Sequence, residues 1–202
     1  MLGLHAERAS SLRESLRRAT REAHARLDRA LGLTAPSVTR EGYVAYLGGM
    51  WSFHAPLEAK LQASEGLAAH VTDLRARRRA HLASDDLRAL GADPSRYPLA
   101  TPDALPRTAD AGEAAGALYV LEGSTLGGRF LAAKLGARLG LEAETRRYLE
   151  SYGAETDAMW RRLVAQLDGA PWSAAEREGA ARAAEETFSM VHGWLEARGA
   201  TR

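Results

Sequence analysis

The chain has 202 residues, 46% of them hydrophobic and 26% charged, with 27 Lys+Arg against 26 Asp+Glu. That length suits one domain with a sizeable core, and the near balance of charge excludes the strong field of a nucleic-acid or acidic-membrane binder. The absence of cysteine excludes a disulfide framework, a thiolate nucleophile and an iron–sulfur cluster. No run reaches the roughly 18 apolar residues of a membrane span, and the N-terminus lacks the apolar core of a signal peptide. A soluble cytoplasmic protein is expected, with a flexible lead over 1–9 and one helical domain over 10–202.

Helical periodicity runs through nearly the whole chain, and strand alternation is almost absent. The first helix is predicted from Ser10 or Ser11 to Leu31, with Leu12, Leu16, Ala23, Leu27 and Ala30 on one stripe. Pro36 closes the connection to a second helix, from about Thr39 to Ala63. A third is predicted over Leu67–Leu82, carrying the basic run "RARRRAH", and a short fourth over Asp85–Leu90. Pro94, Pro98, Pro102 and Pro106 then mark a surface loop. A long helix follows from about Ala111 to Leu139, then two more over Glu142–Tyr152 and Thr156–Leu167. The last opens on a capping box, Ser173 to Glu176, and ends near Ala197. The fold class is all-α.

The usual enzyme signatures are missing: there is no phosphate loop, no GxSxG elbow and no HExxH. None of the six histidines follows a glutamate by three residues, which excludes the Glu-x-x-His pairs of a di-iron bundle. His5, His70 and His81 read as solvated, and His54 and His192 as partly buried structural residues. His24 keeps different company. On a helical wheel Arg17, Thr20, His24 and Asp28 share one flank of the first helix, at the border of its apolar stripe. Arg17 lies two turns from His24, about 10 Å along the axis. That separation suits a ligand with an iron centre and an acidic edge.

The segment "LYVLEGSTLGGRFLAAKL" sets Gly123, Gly127 and Gly128 inside the long helix, where each glycine costs roughly 1 kcal/mol relative to alanine. One reading is close helix–helix packing along a small-residue face that Gly112 and Gly116 extend. The other is bare backbone laid against a flat, rigid ligand, with the glycines permitting a kink.

Together, "LRRATREAHARLD" (16–28) and "LYVLEGSTLGG" (118–128) resemble the haem oxygenase family, particularly its bacterial members and those that supply biliverdin to bacterial phytochromes. The resemblance implies a helical bundle holding haem between the first helix and a kinked glycine-rich helix. It implies cleavage of haem, as both cofactor and substrate, to biliverdin, CO and ferrous iron with O₂ and external electrons. His24 would be the axial iron ligand in a T-x-x-x-H setting with Thr20. Gly123, Ser124, Gly127 and Gly128 would form the opposite wall, steering O₂ and an ordered water. Arg17 and Tyr119 would meet the haem propionates. The implied partners are an electron donor, a ferredoxin or flavin reductase, and a biliverdin acceptor such as a phytochrome.

Two departures stand out. Ser124 replaces the aspartate that animal-type members carry just after the first glycine of the wall. The basic residue expected from the last helix is missing, since positions 185 and 186 are both Glu and only Arg177 and Arg182 lie near. Two alternatives therefore remain at this level: a haem carrier of the same fold, or a cofactor-free helical module. The run at 75–79 reads first as a solvated helix face, and otherwise as a docking face for the electron donor.

Overall fold

The structure is a computed structural model that describes residues 11–201; the predicted lead over 1–9 lies outside them. The described residues form helices and turns with no strand. Eight α-helices follow one another: α1 (Leu12–Leu31), α2 (Arg40–Gln62), α3 (Glu65–Ala68), α4 (Ala80–Ala89), α5 (Ala111–Leu139), α6 (Arg147–Glu150), α7 (Thr156–Gly169) and α8 (Ala174–Glu196). No helix among them is long and apolar enough to cross a membrane.

The ends of the major helices are written in local chemistry. Ser11 caps α1 by accepting from Glu14 N–H, Thr39 caps α2 through Gly42, and Asp110 caps α5 through Glu113. Ser173 and Glu176 form the predicted capping box of α8. Gly32 and Gly140 end α1 and α5 at positive φ, 54° and 62°, where glycine has no Cβ to strain.

Pro56 sits inside α2 and has no N–H for the Ser52 carbonyl one turn back. That carbonyl instead accepts from Ala100 N–H at 2.8 Å. The break in one helix thus fastens the proline-rich loop to it.

α5 is the central element. It crosses α8 at Gly112 and Gly116, where added Cβ atoms would collide with the backbone carbonyls of Glu176 and Ala180. The small-residue face predicted for helix packing therefore exists, at the N-terminal end of α5. Beyond it, α1 and α5 stand on either side of a deep cavity, with α8 and α2 closing its flanks.

The predicted third helix is replaced by three pieces: α3, a 3₁₀ turn over Leu74–Arg77, and α4. Its basic run is not a solvated face. Arg75 and Arg78 are exposed, but Arg77 and Arg79 turn inward and are each only 2% exposed. Arg77 pairs with Asp73 and with Glu122 of α5. Arg79 donates to the Leu121 carbonyl at 2.7 Å and lies against the rings of Tyr148 and Tyr152. Burial opposes the charge on both guanidiniums, yet the facing carboxylates outweigh it and hold both pKa values above the usual arginine value.

Candidate active site

The cavity has a volume of about 1040 Å³, at the upper end of the range for small-molecule sites. α1 supplies one wall, and Arg17, Thr20 and His24 of the predicted flank all line it. The flank faces inward because Leu16, Ala23 and Leu27 beside it are buried in the core.

His24 is half exposed to the cavity, and its Nδ1 lies 3.0 Å from an Asp28 carboxylate oxygen. With Nδ1–H donated to Asp28, a neutral imidazole keeps its lone pair on Nε2, the tautomer a metal ligand needs. Phe188 of α8 meets the ring edge-on at 5.5 Å and limits its rotation. Thr20 is buried and donates its hydroxyl to the Leu16 carbonyl at 2.8 Å.

α5 supplies the opposite wall and remains helical across all three glycines. Here the two readings of those glycines divide by position. An added Cβ at Gly127 would meet nothing within 4 Å, and one at Gly123 only the Trp160 ring at 3.9 Å. Both glycines line the cavity. Gly128 does not: its Cβ would collide with the Leu149 carbonyl at α6. One residue on from Gly127 is a 100° step around the helix, enough to turn Gly128 from the cavity toward α6. Ser124 lines the cavity and donates to the Leu121 carbonyl at 2.7 Å. Its oxygen lone pairs stay available to accept from water.

Gly127→Ala and Gly128→Ala should therefore part in sign. The first should raise stability by about 1 kcal/mol through helix propensity while crowding the cavity and weakening ligand binding about tenfold or more. The second should cost about 1–3 kcal/mol by overpacking against α6. Thermal unfolding paired with ligand titration separates them.

The cations of the cavity gather at one end. Arg17, Arg18 and Arg21 line it from the N-terminal half of α1. Tyr119 joins them: burial raises its phenol pKa, while Arg13 and Arg17 pull the other way. No basic residue comes from α8, which contributes Phe188, Val191 and Leu195 instead. Arg182 pairs loosely with Glu178 on the exposed face, and neither it nor Arg177 lines the cavity. The remaining walls are apolar, and two of their side chains, Leu126 and Phe130, are 43% and 63% exposed. Large apolar groups left bare at the rim of a cavity mark a surface that an apolar ligand covers.

Of the other histidines, His54 is fully buried beside Tyr148 and Glu58. Burial, helped by Arg79, pushes its pKa well below the usual value and keeps it neutral. His70 is half-buried against the Trp172 ring rather than freely solvated. His81 is exposed as expected; His5 lies outside the described residues. Sequence reading missed Tyr46 and Met50 of α2 and the 188, 191, 195 stripe of α8 as cavity residues. The helical spacing of that stripe was visible, but it looked like any core face.

No cluster of three or more His, Asp and Glu able to cage a metal occurs among the described residues. A lone imidazole before a flat apolar slot instead suits a metal that arrives in its own planar ligand. Comparison with known proteins agrees. The family model described as heme oxygenase matches residues 10–197. The chain is 32% identical over 180 residues to Heme oxygenase PigA of Pseudomonas aeruginosa, spanning 88% of this chain and 87% of that one. It is 37% identical over 121 residues to a heme oxygenase of Xanthomonas campestris, 60% of this chain and 69% of that one. Among solved structures, the heme oxygenase of Neisseria meningitidis, crystallised with NO and CO, superposes with a TM-score of 0.81 at 26% identity, covering 94% and 92% of the two chains. Heme oxygenase-1 of Synechocystis in complex with heme shares the fold at 15% identity and a TM-score of 0.78, covering 93% and 92%.

Proposed function

The chain belongs to the haem oxygenase family, and from that premise we propose that it cleaves haem to biliverdin, CO and ferrous iron, with His24 as the iron ligand. The observation that carries this reading is one cavity lined by His24, anchored through Asp28, on one side and by the Cβ-less backbone of Gly123 and Gly127 on the other. When bound, haem supplies the iron that activates O₂ and the ring that O₂ attacks, with electrons from an external donor such as a ferredoxin or flavin reductase.

The residues divide the remaining tasks. His24 Nε2 would hold the iron, and a neutral nitrogen ligand would not push O–O cleavage as a thiolate does. Arg17, with Arg18 and Arg21 beside it, and Tyr119 fix the propionates and so set the rotation of the ring. Gly123 and Gly127, lacking Cβ atoms on the cavity wall, would let the α5 backbone lie close to the bound ring. The Ser124 oxygen, whose hydroxyl donates to Leu121, would accept from a water that carries the proton in place of the missing aspartate. Phe130 and Leu126 cover the ring and keep bulk water out. A phytochrome is the acceptor we assign to the biliverdin.

Haemin titration followed by a reductant in air tests the proposal. The expected result is a tight Soret complex that decays into a bilin band. A Soret band that survives reduction identifies a haem carrier, and no complex at all identifies a helical module without cofactor.

A further inference from the structure

Six tyrosines lie in or beside the core; Tyr97 packs on α2 at Gly48, and the hydroxyls of the other five fall into two groups. Tyr43 donates to the Thr145 carbonyl, Tyr148 shares a hydrogen bond with His54, and Tyr152 donates to Glu122. Tyr46 and Tyr119, the two that line the cavity, have no hydrogen-bond partner among the described residues. Tyr46 is only 7% exposed and Tyr119 8%. Neither hydroxyl is sealed away from the cavity, so each can meet an acceptor bound there.

The two hydroxyls serve opposite ends. Tyr119 lies in the field of Arg13 and Arg17, with the cations that meet carboxylates. Tyr46 lies in the field of Asp28, two turns beyond Arg21 on α1. The C-terminal end of α1 and the turn after it line the cavity mainly with leucines, Leu27, Leu31 and Leu33, beside Asp28 and Thr34. Burial first, then the nearby Tyr148 and Tyr43 phenols, pushes the Tyr46 pKa far above its usual value. The hydroxyl therefore stays protonated, a donor in a largely apolar end of the cavity with no hydrogen-bond partner among the described residues.

Haem offers it nothing either. With the propionates held at the arginine end, the ring edge that reaches Tyr46 carries only methyl and vinyl groups. Ring opening changes that edge. The bridging carbon leaves as CO, and each of the two pyrroles it joined gains one oxygen from O₂, becoming a lactam carbonyl. Both new acceptors appear where the bridge was.

We propose that Tyr46 recognises the product: its hydroxyl donates to a lactam carbonyl of the opened tetrapyrrole at the apolar end of the cavity. The proposal rests on the haem oxygenase reading above and requires that the bridge opened is the one farthest from the propionates. Tyr46 then discriminates product from substrate by a hydrogen bond that only the product makes. Its consequence is slow release, which holds the bilin until an acceptor takes it.

The test is a titration of wild type and Tyr46→Phe with haemin and, separately, with biliverdin, following tryptophan fluorescence. Trp160 in the cavity wall reports both ligands. The phenylalanine keeps the ring and its packing, and haemin binding checks that the variant folds. The expected result is a haemin Kd within about twofold of wild type and a biliverdin Kd weakened about fivefold to tenfold, the share of one hydrogen bond. An equal change for both ligands, or none for either, overturns product recognition and leaves the oxygenase reading intact. So does a turnover product opened beside the propionates, identified by chromatography. Wild type that binds neither ligand overturns both.

Discussion

His24→Ala should abolish bilin formation while leaving the fold intact. The side chain is half exposed, with Asp28 as its polar partner and Phe188 as its ring partner, so its removal costs little in packing. Haemin should still enter, held by the arginine end and the apolar walls, but with an altered Soret band and weaker affinity. Turnover should fall by more than the roughly 10- to 100-fold that loss of a ligand's outer partner costs, because the ligand itself is gone. Asp28→Asn supplies that milder comparison: the imidazole stays, but the charge that fixes its tautomer does not. Added imidazole should restore part of the His24→Ala spectrum by entering the space the side chain left. Spectra and bilin yield, recorded with reductant in air, decide it; turnover at the wild-type rate in His24→Ala would remove His24 from the iron.

Glu122→Ala should be the most destabilising single change in the core. Glu122 is 2% exposed and faces both Arg77 and Arg79, the latter at 3.6 Å from Nε. Without it Arg77 keeps Asp73, but buried Arg79 keeps only the weaker pull of Glu58, whose carboxylate is engaged by the backbone N–H groups of Arg79 and Ala80. Breaking a buried pair in this way costs about 3–5 kcal/mol, or roughly 10 °C in Tm for a domain of this size. The loss should reach the site, because Glu122 immediately precedes Gly123 and Arg79 holds the Leu121 carbonyl in the cavity wall. Replacing Arg77, Arg79 and Glu122 together by apolar residues of similar volume should cost less than Glu122→Ala alone, since no unpaired charge remains. Thermal unfolding of the two variants checks the order; equal or reversed losses would mean that the charges are not what holds this layer.

The sequence by itself determined the helices whose signals are local. Ser11, Thr39, Asp110 and Ser173 mark helix starts by side-chain chemistry, and Gly32 and Gly140 mark ends by backbone freedom. Amphipathic spacing carried Arg17, Thr20 and His24 to one flank of α1 in the same way, and the bare stretch of α5 was readable as three glycines with a cost to explain.

Only the tertiary structure decided which way the ambiguous faces turn. Gly127 and Gly128 are adjacent and chemically identical, yet α6 packs on one and the cavity opens on the other. In "RARRR" the alternate arginines go inward because Glu122, which lies 45 residues from Arg77, waits there. A buried charge is settled by partners that no local window contains. Tyr46 reads as an ordinary core aromatic until the fold leaves its hydroxyl without a partner in a cavity. Propensity and periodicity act within a few residues of chain, whereas the pairing of charges, the collision of backbones and the shape of an empty space exist only between elements.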